Sequence, residues 1–219
     1  MSSPAVAVLD IGSNSIKVLV AARAPTGGLD TLFSESLDVR ISAGISAAQP
    51  RLSEDGMARG LAAIQKLLAL AAPYSPTRAV MVATSAVRDA ANGPDFRARV
   101  SAATGFEIRI LTGPEEAQAI GRGLTSDPAL TDLQDFYVFD LGGGSLECLA
   151  FRDRKMEQVQ SLQLGCVRLT EGFVADPAAP LPAETRHRIQ EHVRQTLASA
   201  GFRFDLKYAA AVATGGTVT

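Results

Sequence analysis

The sequence predicts an α/β protein with mixed sheets, built as two related halves. Two observations predict it. The stretch VLDIGSNSIKVLVA, Val8 to Ala21, has a counterpart in VFDLGGGSLECLAF, Val138 to Phe151, at an offset of 130 residues. Both read apolar, apolar, Asp, apolar, Gly-x-x-Ser, and then an apolar-rich run. Elsewhere, short strand-like apolar runs alternate with helical segments, which argues for parallel as well as antiparallel strands.

In chain order, strands are expected at Ala5–Leu9 and Ile16–Ala22, joined by the DIGSNS turn, and a third extended run covers Thr31–Ile41. A helix follows with Ser53 as its N-cap. Glu54 and Asp55 lie in its first turn, Met57, Leu61, Ile64 and Leu68 recur at helical spacing, and Pro73 ends it. Ala79–Thr84 reads as a buried strand. The next helix carries Pro94 in its first turn and stops at Gly105. Phe106–Leu111 is a further strand, and a helix starts at Pro114. The polar, turn-rich segment Ser126–Asp135 is taken as the boundary, giving lobes of residues 1–126 and 127–219. The second half then repeats strand, Gly-rich turn and strand, with an extended run around Glu157–Leu164. Helices are expected in part of Val167–Val174 and most of Ala183–Ala200, and a last strand at Tyr208–Ala213. That strand runs into ATGGTVT, so the second lobe is expected to be incomplete at its C-terminal end.

At 219 residues, the chain suffices for one large domain or two small ones. Aromatic residues make up only 5% of it, so Ala, Val, Leu and Ile must build the cores. A net charge of −2 gives no general attraction for DNA or an anionic membrane, so an anionic ligand would have to be held locally. Cys148 and Cys166 have no metal-ligand spacing and read as small apolar residues in a reducing compartment. No signal peptide or membrane span is legible, and a cytoplasmic location is expected. His187 and His192, five residues apart on a polar helix, are expected to be solvated.

The duplicated turn carries the chemistry. A strand delivers an Asp to its C-terminal end, and glycines then let successive N–H groups face one point, a nest suited to phosphate. The neighbouring Asp suits the divalent cation that accompanies phosphate, expected to be Mg²⁺ or Mn²⁺. Gly12, Ser13, Asn14 and Ser15 would form one cradle, and Gly142, Gly143, Gly144 and Ser145 the other. Asp10 and Asp140 are the metal-side carboxylates. Glu147 shares a strand face with Ser145 and is either a third such carboxylate or a surface residue on an edge strand. A single Asp-Gly turn would read as an ordinary hairpin, but two copies in register argue for phosphate. Neither a Gly-x-x-x-x-Gly-Lys-Ser/Thr loop nor a Gly-x-Gly-x-x-Gly helix start is present.

The paired turns resemble the phosphate-1 and phosphate-2 motifs of the superfamily of sugar and acetate kinases, heat-shock chaperone ATPases and actin. More narrowly, DIGSNSIKVLVA, VMVATSAVRDAAN, ILTGPEEAQAIGRG, VFDLGGGSLE, SLQLGCVRLTEGF and the terminal ATGGT resemble the exopolyphosphatase / guanosine pentaphosphate phosphohydrolase (Ppx/GppA) family, in family order along nearly the whole chain. The resemblance implies a duplicated ribonuclease H-like (actin-like ATPase) fold, with two lobes around a phosphate-binding cleft. It implies hydrolysis of a terminal phosphoanhydride in inorganic polyphosphate or guanosine pentaphosphate. Of the two acids in TGPEEAQ, it assigns Glu116 as the general base that activates water, with Glu115 left to cap or orient the helix. Arg88 would offset charge on the transferred phosphoryl group, and Lys17 and Arg168 would contact the anion farther along. Homodimers occur in the family, and longer members carry a C-terminal helical region. Two other classes stay open: a kinase or ATPase with the same grip on phosphate, and a non-catalytic alarmone or polyphosphate sensor.

Overall fold

The structure, a computed structural model, describes residues 3–25, 27–205, 207, 210–216 and 218. It forms two compact units, Met1–Leu111 and Thr112–Thr219.

The first unit holds a mixed five-stranded sheet of order β3-β2-β1-β4-β5. Its strands are β1 (Val6–Ile11), β2 (Ser15–Arg23), β3 (Leu29–Asp38), β4 (Arg78–Ala83) and β5 (Ile108–Ile110). β1 runs antiparallel to β2 and parallel to β4, so the chain leaves β1 through a tight turn and reaches β4 by a helical crossover. One face alternates into the core through Ala7, Leu9, Ile11, Ile16, Val18 and Val20. Helix α1 (Glu54–Ala71) buries Met57, Ile64 and Leu67, and the Ser53 hydroxyl accepts the Gly56 N–H as expected of an N-cap. On the other sheet face Val8 and Leu19 stay exposed. Two short-range features depart from expectation. β3 stops at Asp38, because the amides of Val39 and Arg40 turn to the Asn14 carbonyl and Arg40 adopts a φ of 51°. A five-residue helix, α2 (Ser85–Asp89), follows β4, ahead of α3 (Gly93–Thr104), which ends at left-handed Gly105.

The second unit repeats the pattern in a four-stranded sheet of order β8-β7-β6-β9. Its strands are β6 (Phe136–Leu141), β7 (Leu146–Arg152), β8 (Lys155–Leu162) and β9 (Ala210–Thr214). Tyr208 and Ala209, expected to open the last strand, lie outside the described residues. The duplication extends to register: Asp10 pairs with Lys17 across β1 and β2, and Asp140 with Glu147 across β6 and β7. One sheet face is covered by α5 (Cys166–Phe173) and α6 (Ala183–Ser199), through Tyr137, Cys148, Ala150 and Leu162 with Leu169, Val193 and Leu197. The other face, with Phe136, Val138, Leu149 and Phe151, is covered by Ala117, Ile120 and Leu124 of α4 (Gly113–Thr125).

That packing moves the boundary between units. The division falls at Leu111/Thr112, not between residues 126 and 127, so α4 and Glu116 belong to the second unit. The polar stretch after α4 is instead tied down by the β7–β8 turn. There Asp153 and Arg154 have positive φ, and the Arg154 guanidinium reaches the carbonyls of Thr125, Leu130 and Leu133. Arg154→Ala keeps the left-handed turn but strips these donors. It is expected to lower unfolding free energy by about 2 kcal/mol, read by urea denaturation.

Candidate functional site

Peptide orientation in the second turn is set by what takes its carbonyls. The Cys166 N–H donates to Gly142 O at 3.0 Å, and those of Val167 and Arg168 to Gly143 O at 2.9 and 3.3 Å. The Arg168 Nε–H donates to Gly144 O at 3.1 Å. In a trans peptide the carbonyl and the following N–H point in opposite directions. Three carbonyls directed at the start of α5 therefore send the N–H groups of Gly143, Gly144 and Ser145 to the other side together. Among the described residues, no backbone carbonyl accepts from Gly143 N or Gly144 N. This is an anion-binding nest. Gly165 permits it, since a Cβ there would collide with the Gly143 carbonyl.

The first turn is built alike. Gly12 N donates to Ser15 O and Gly142 N to Ser145 O, both at 3.1 Å. The Ser13 carbonyl is taken by Ser42 N, and that of Asn14 by Val39 N and Arg40 N, which directs the Asn14 and Ser15 N–H groups away from that loop. The Ser13 hydroxyl shares a buried 2.9 Å hydrogen bond with the Ser85 hydroxyl, in which either can donate.

Carboxylates concentrate in the second unit. The capping box consumes Glu115: its carboxylate accepts the Thr112 N–H at 2.9 Å, while Thr112 Oγ1 accepts the Glu115 N–H. This is the capping role expected of it. Gly113 lets α4 start directly on β8, since a Cβ there would lie 2.6 Å from Ser161 Cβ. Glu147 is 2% exposed and therefore no surface residue. The Ser161 hydroxyl donates to it at 2.7 Å, and the Ser145 hydroxyl also hydrogen-bonds to it. Burial, then repulsion from Glu116 and from Asp140, pushes its carboxyl up to about 7 against the pull of those two hydroxyls. Glu116, Asp140, Glu147 and the Gly142–Ser145 turn thus form one acidic, amide-lined locus. Gly215, at φ 102°, packs against Asp140 and Leu141, a close approach that no side chain would allow. Thr217 of the same turn lies outside the described residues.

In the first unit, Asp10 sits exposed at the end of β1. Partial desolvation raises its pKa and cross-strand Lys17 lowers it. Arg88, in α2, donates to Asp89 at 3.2 Å and to Leu111 O at 3.2 Å. Its pairing with Asp89 is the arrangement of a structural arginine, with the guanidinium also anchoring the last residue of the unit. Cys148 is buried beside Glu147, which raises its thiol pKa to about 12, so it is inert packing, as the sequence implied. His192 is not simply solvated; its ring packs against Phe173 at 5.1 Å.

Sequence reasoning missed Ser161. It faces Glu147 across β7 and β8, and only the strand register reveals that pairing. No helix among the described residues is long and apolar enough to cross a membrane.

Comparison with known proteins agrees with the resemblance read from the motifs. The model of the Ppx/GppA phosphatase family matches residues 19–219. An exopolyphosphatase from Cytophaga hutchinsonii superposes with a TM-score of 0.81 at 22% identity, over 89% of this chain and 61% of its own. A Ppx/GppA family member from Aquifex aeolicus gives 0.74 at 27% identity, over 99% of this chain and 67% of its own. The ethanolamine utilization protein EutJ from Carboxydothermus hydrogenoformans shares the fold more remotely, at 0.52 and 13% identity. The chain thus spans about two thirds or less of the length of these two phosphatase-family structures.

Proposed function

The chain belongs to the Ppx/GppA phosphatase family, and on that premise we propose that it releases the terminal phosphate of inorganic polyphosphate or guanosine pentaphosphate by attack of water. The observation that carries this reading is the set of three same-facing peptide groups at Gly143, Gly144 and Ser145, which lie beside Glu147 and hence beside Glu116. A nest of N–H groups binds phosphoryl oxygens, and a carboxylate next to it can orient and deprotonate a water.

In this reading the N–H groups of Gly143, Gly144 and Ser145 hold the phosphoryl group under attack. Those of Asn14 and Ser15 hold phosphate oxygens in the first unit. Glu116 Oε takes the proton of the attacking water as its oxygen bonds to the terminal phosphorus, and the bond to the bridging oxygen breaks so that the shortened polyphosphate or nucleotide leaves in line. Ser161 and Ser145 orient Glu147. Arg88 would add positive charge if its guanidinium left Asp89 for the substrate. The family resemblance implies a divalent cation, and the donor set fits a hard one. Asp140 and Glu147 offer oxygen only, and their mutual repulsion, shared with Glu116, is what a cation would relieve. No three His, Cys, Asp or Glu side chains among the described residues are gathered as a complete ligand set. Mg²⁺ keeps several waters and takes one or two carboxylates together with substrate phosphates. Asp140 and Glu147 would hold it in the second unit, and Asp10 offers a carboxylate in the first. When bound it offsets charge on the phosphoryl oxygens.

The test is phosphate release from polyphosphate, guanosine pentaphosphate and ATP, with Mg²⁺ and with chelator. Release from either of the first two that stops in chelator is the expected result. Transfer of phosphate from ATP to an acceptor would replace hydrolysis by kinase chemistry, and binding without turnover would make the protein a sensor.

A further inference from the structure

The two turns differ in what takes the carbonyl of their third residue. In the first, the carbonyl of Asn14 accepts two backbone N–H groups, from Val39 and Arg40, each at 2.8 Å. Gly144, 130 residues on, stands in the same position of the second turn. Its carbonyl is taken by a side chain, the Arg168 Nε–H, at 3.1 Å. The backbone of α5 supplies the donors for Gly142 and Gly143. The peptide between Gly144 and Ser145 is therefore oriented by one guanidinium in a turn of three consecutive glycines, where backbone freedom is greatest.

We propose that Arg168 is a positioning residue for the second turn: by gripping Gly144 O it aims the Ser145 N–H at phosphate. This rests on the phosphate-binding reading of that turn. Arg168 itself need not touch the ligand; it acts through the peptide plane, whose N–H is fixed opposite to the held carbonyl. The same peptide precedes Ser145, whose hydroxyl hydrogen-bonds to Glu147, so its rotation would also disturb the support of that carboxylate. The α5 amides of Cys166 and Val167 remain in place when the side chain of Arg168 is removed, so the turn keeps its outline and loses the orientation of its last peptide.

The experiment uses tripolyphosphate as probe, with binding followed by calorimetry and phosphate release by steady-state kinetics, on wild type, Arg168→Ala and Arg168→Lys. Losing one oriented N–H is expected to raise both Kd and KM of Arg168→Ala about tenfold while kcat falls less than about threefold. Arg168→Lys, which lacks the planar Nε–H donor, should fall between. Low-millimolar ethylguanidinium should restore affinity to Arg168→Ala, and an equal concentration of ethylammonium should not. A purely structural role would lower thermal stability in both variants and would not respond to the guanidinium. Wild-type Kd in Arg168→Ala, or a loss that ethylguanidinium leaves untouched, overturns the proposal. If wild type binds tripolyphosphate without hydrolysing it, the hydrolase reading fails while the Kd comparison still decides the role of Arg168. If wild type neither binds nor hydrolyses it, both fail.

Discussion

Glu116→Gln is expected to lower kcat for phosphate release by at least about 100-fold, with KM within about threefold of wild type. The substitution keeps shape and one acceptor and removes basicity, so a residue that takes a proton in the transition state loses rate and not ground-state affinity. Its neighbour supplies the control. Glu115 is held in the capping box by Thr112, so Glu115→Gln keeps the reciprocal geometry and should cost about 0.5 kcal/mol of stability or less, with turnover within about threefold. Two adjacent acids on one helix turn are thus expected to separate, Glu115 being part of the capping box of the helix and Glu116 the proposed base. Isothermal titration with tripolyphosphate would show whether Glu116→Gln still binds. Wild-type turnover in Glu116→Gln would remove it as the base and leave Glu147, the other carboxylate of that locus, as the next candidate.

That separation was half legible in the sequence. The duplicated strand-turn-strand units, the capping serine of α1, the Pro and Gly bounds of α3 and the pair of acids in TGPEEAQ are local patterns, and local patterns survive folding when packing agrees with them. What α4 packs on is not local. Its apolar stripe shows that one face is buried and says nothing about which sheet buries it, so a polar stretch after the helix looked like the boundary when the helix already belonged to the second unit. Ser161 was illegible for a similar reason: a serine on a half-buried strand carries no signal until register sets it opposite Glu147. The shortened β3 turns on a left-handed Arg40, a conformation that a non-glycine residue does not advertise. The sequence offers Arg168 as a contact for the anion and gives no sign that its Nε holds the Gly144 carbonyl.

Glu147→Gln is expected to raise stability at alkaline pH and leave it unchanged in acid, the opposite of what removing a hydrogen-bonded buried charge usually does. The folded protein pushes this carboxyl from an ordinary 4.5 up to about 7, first through burial and then through Glu116. Between these two values the native state keeps a proton that the unfolded chain has released. Stability therefore falls as pH rises through that window and is level above it. The whole loss is about 3 kcal/mol, taking the full shift at 1.36 kcal/mol per pH unit. Gln is neutral throughout, and its amide oxygen can still accept the Ser161 hydroxyl. Its advantage over wild type should be near zero at pH 4.5 and approach about 3 kcal/mol at pH 8, read by urea denaturation at both. The variant should also lose phosphate release, because the repulsion it removes is the same negative field that would attract a divalent cation to the site. Mg²⁺ at pH 8 should accordingly raise the Tm of wild type more than that of Glu147→Gln, since a cation bound only by the native state stabilises by mass action. A stability difference equal at the two pH values would show that Glu147 carries no buried strain. The acidic locus would then be a solvated cluster with no built-in demand for a cation.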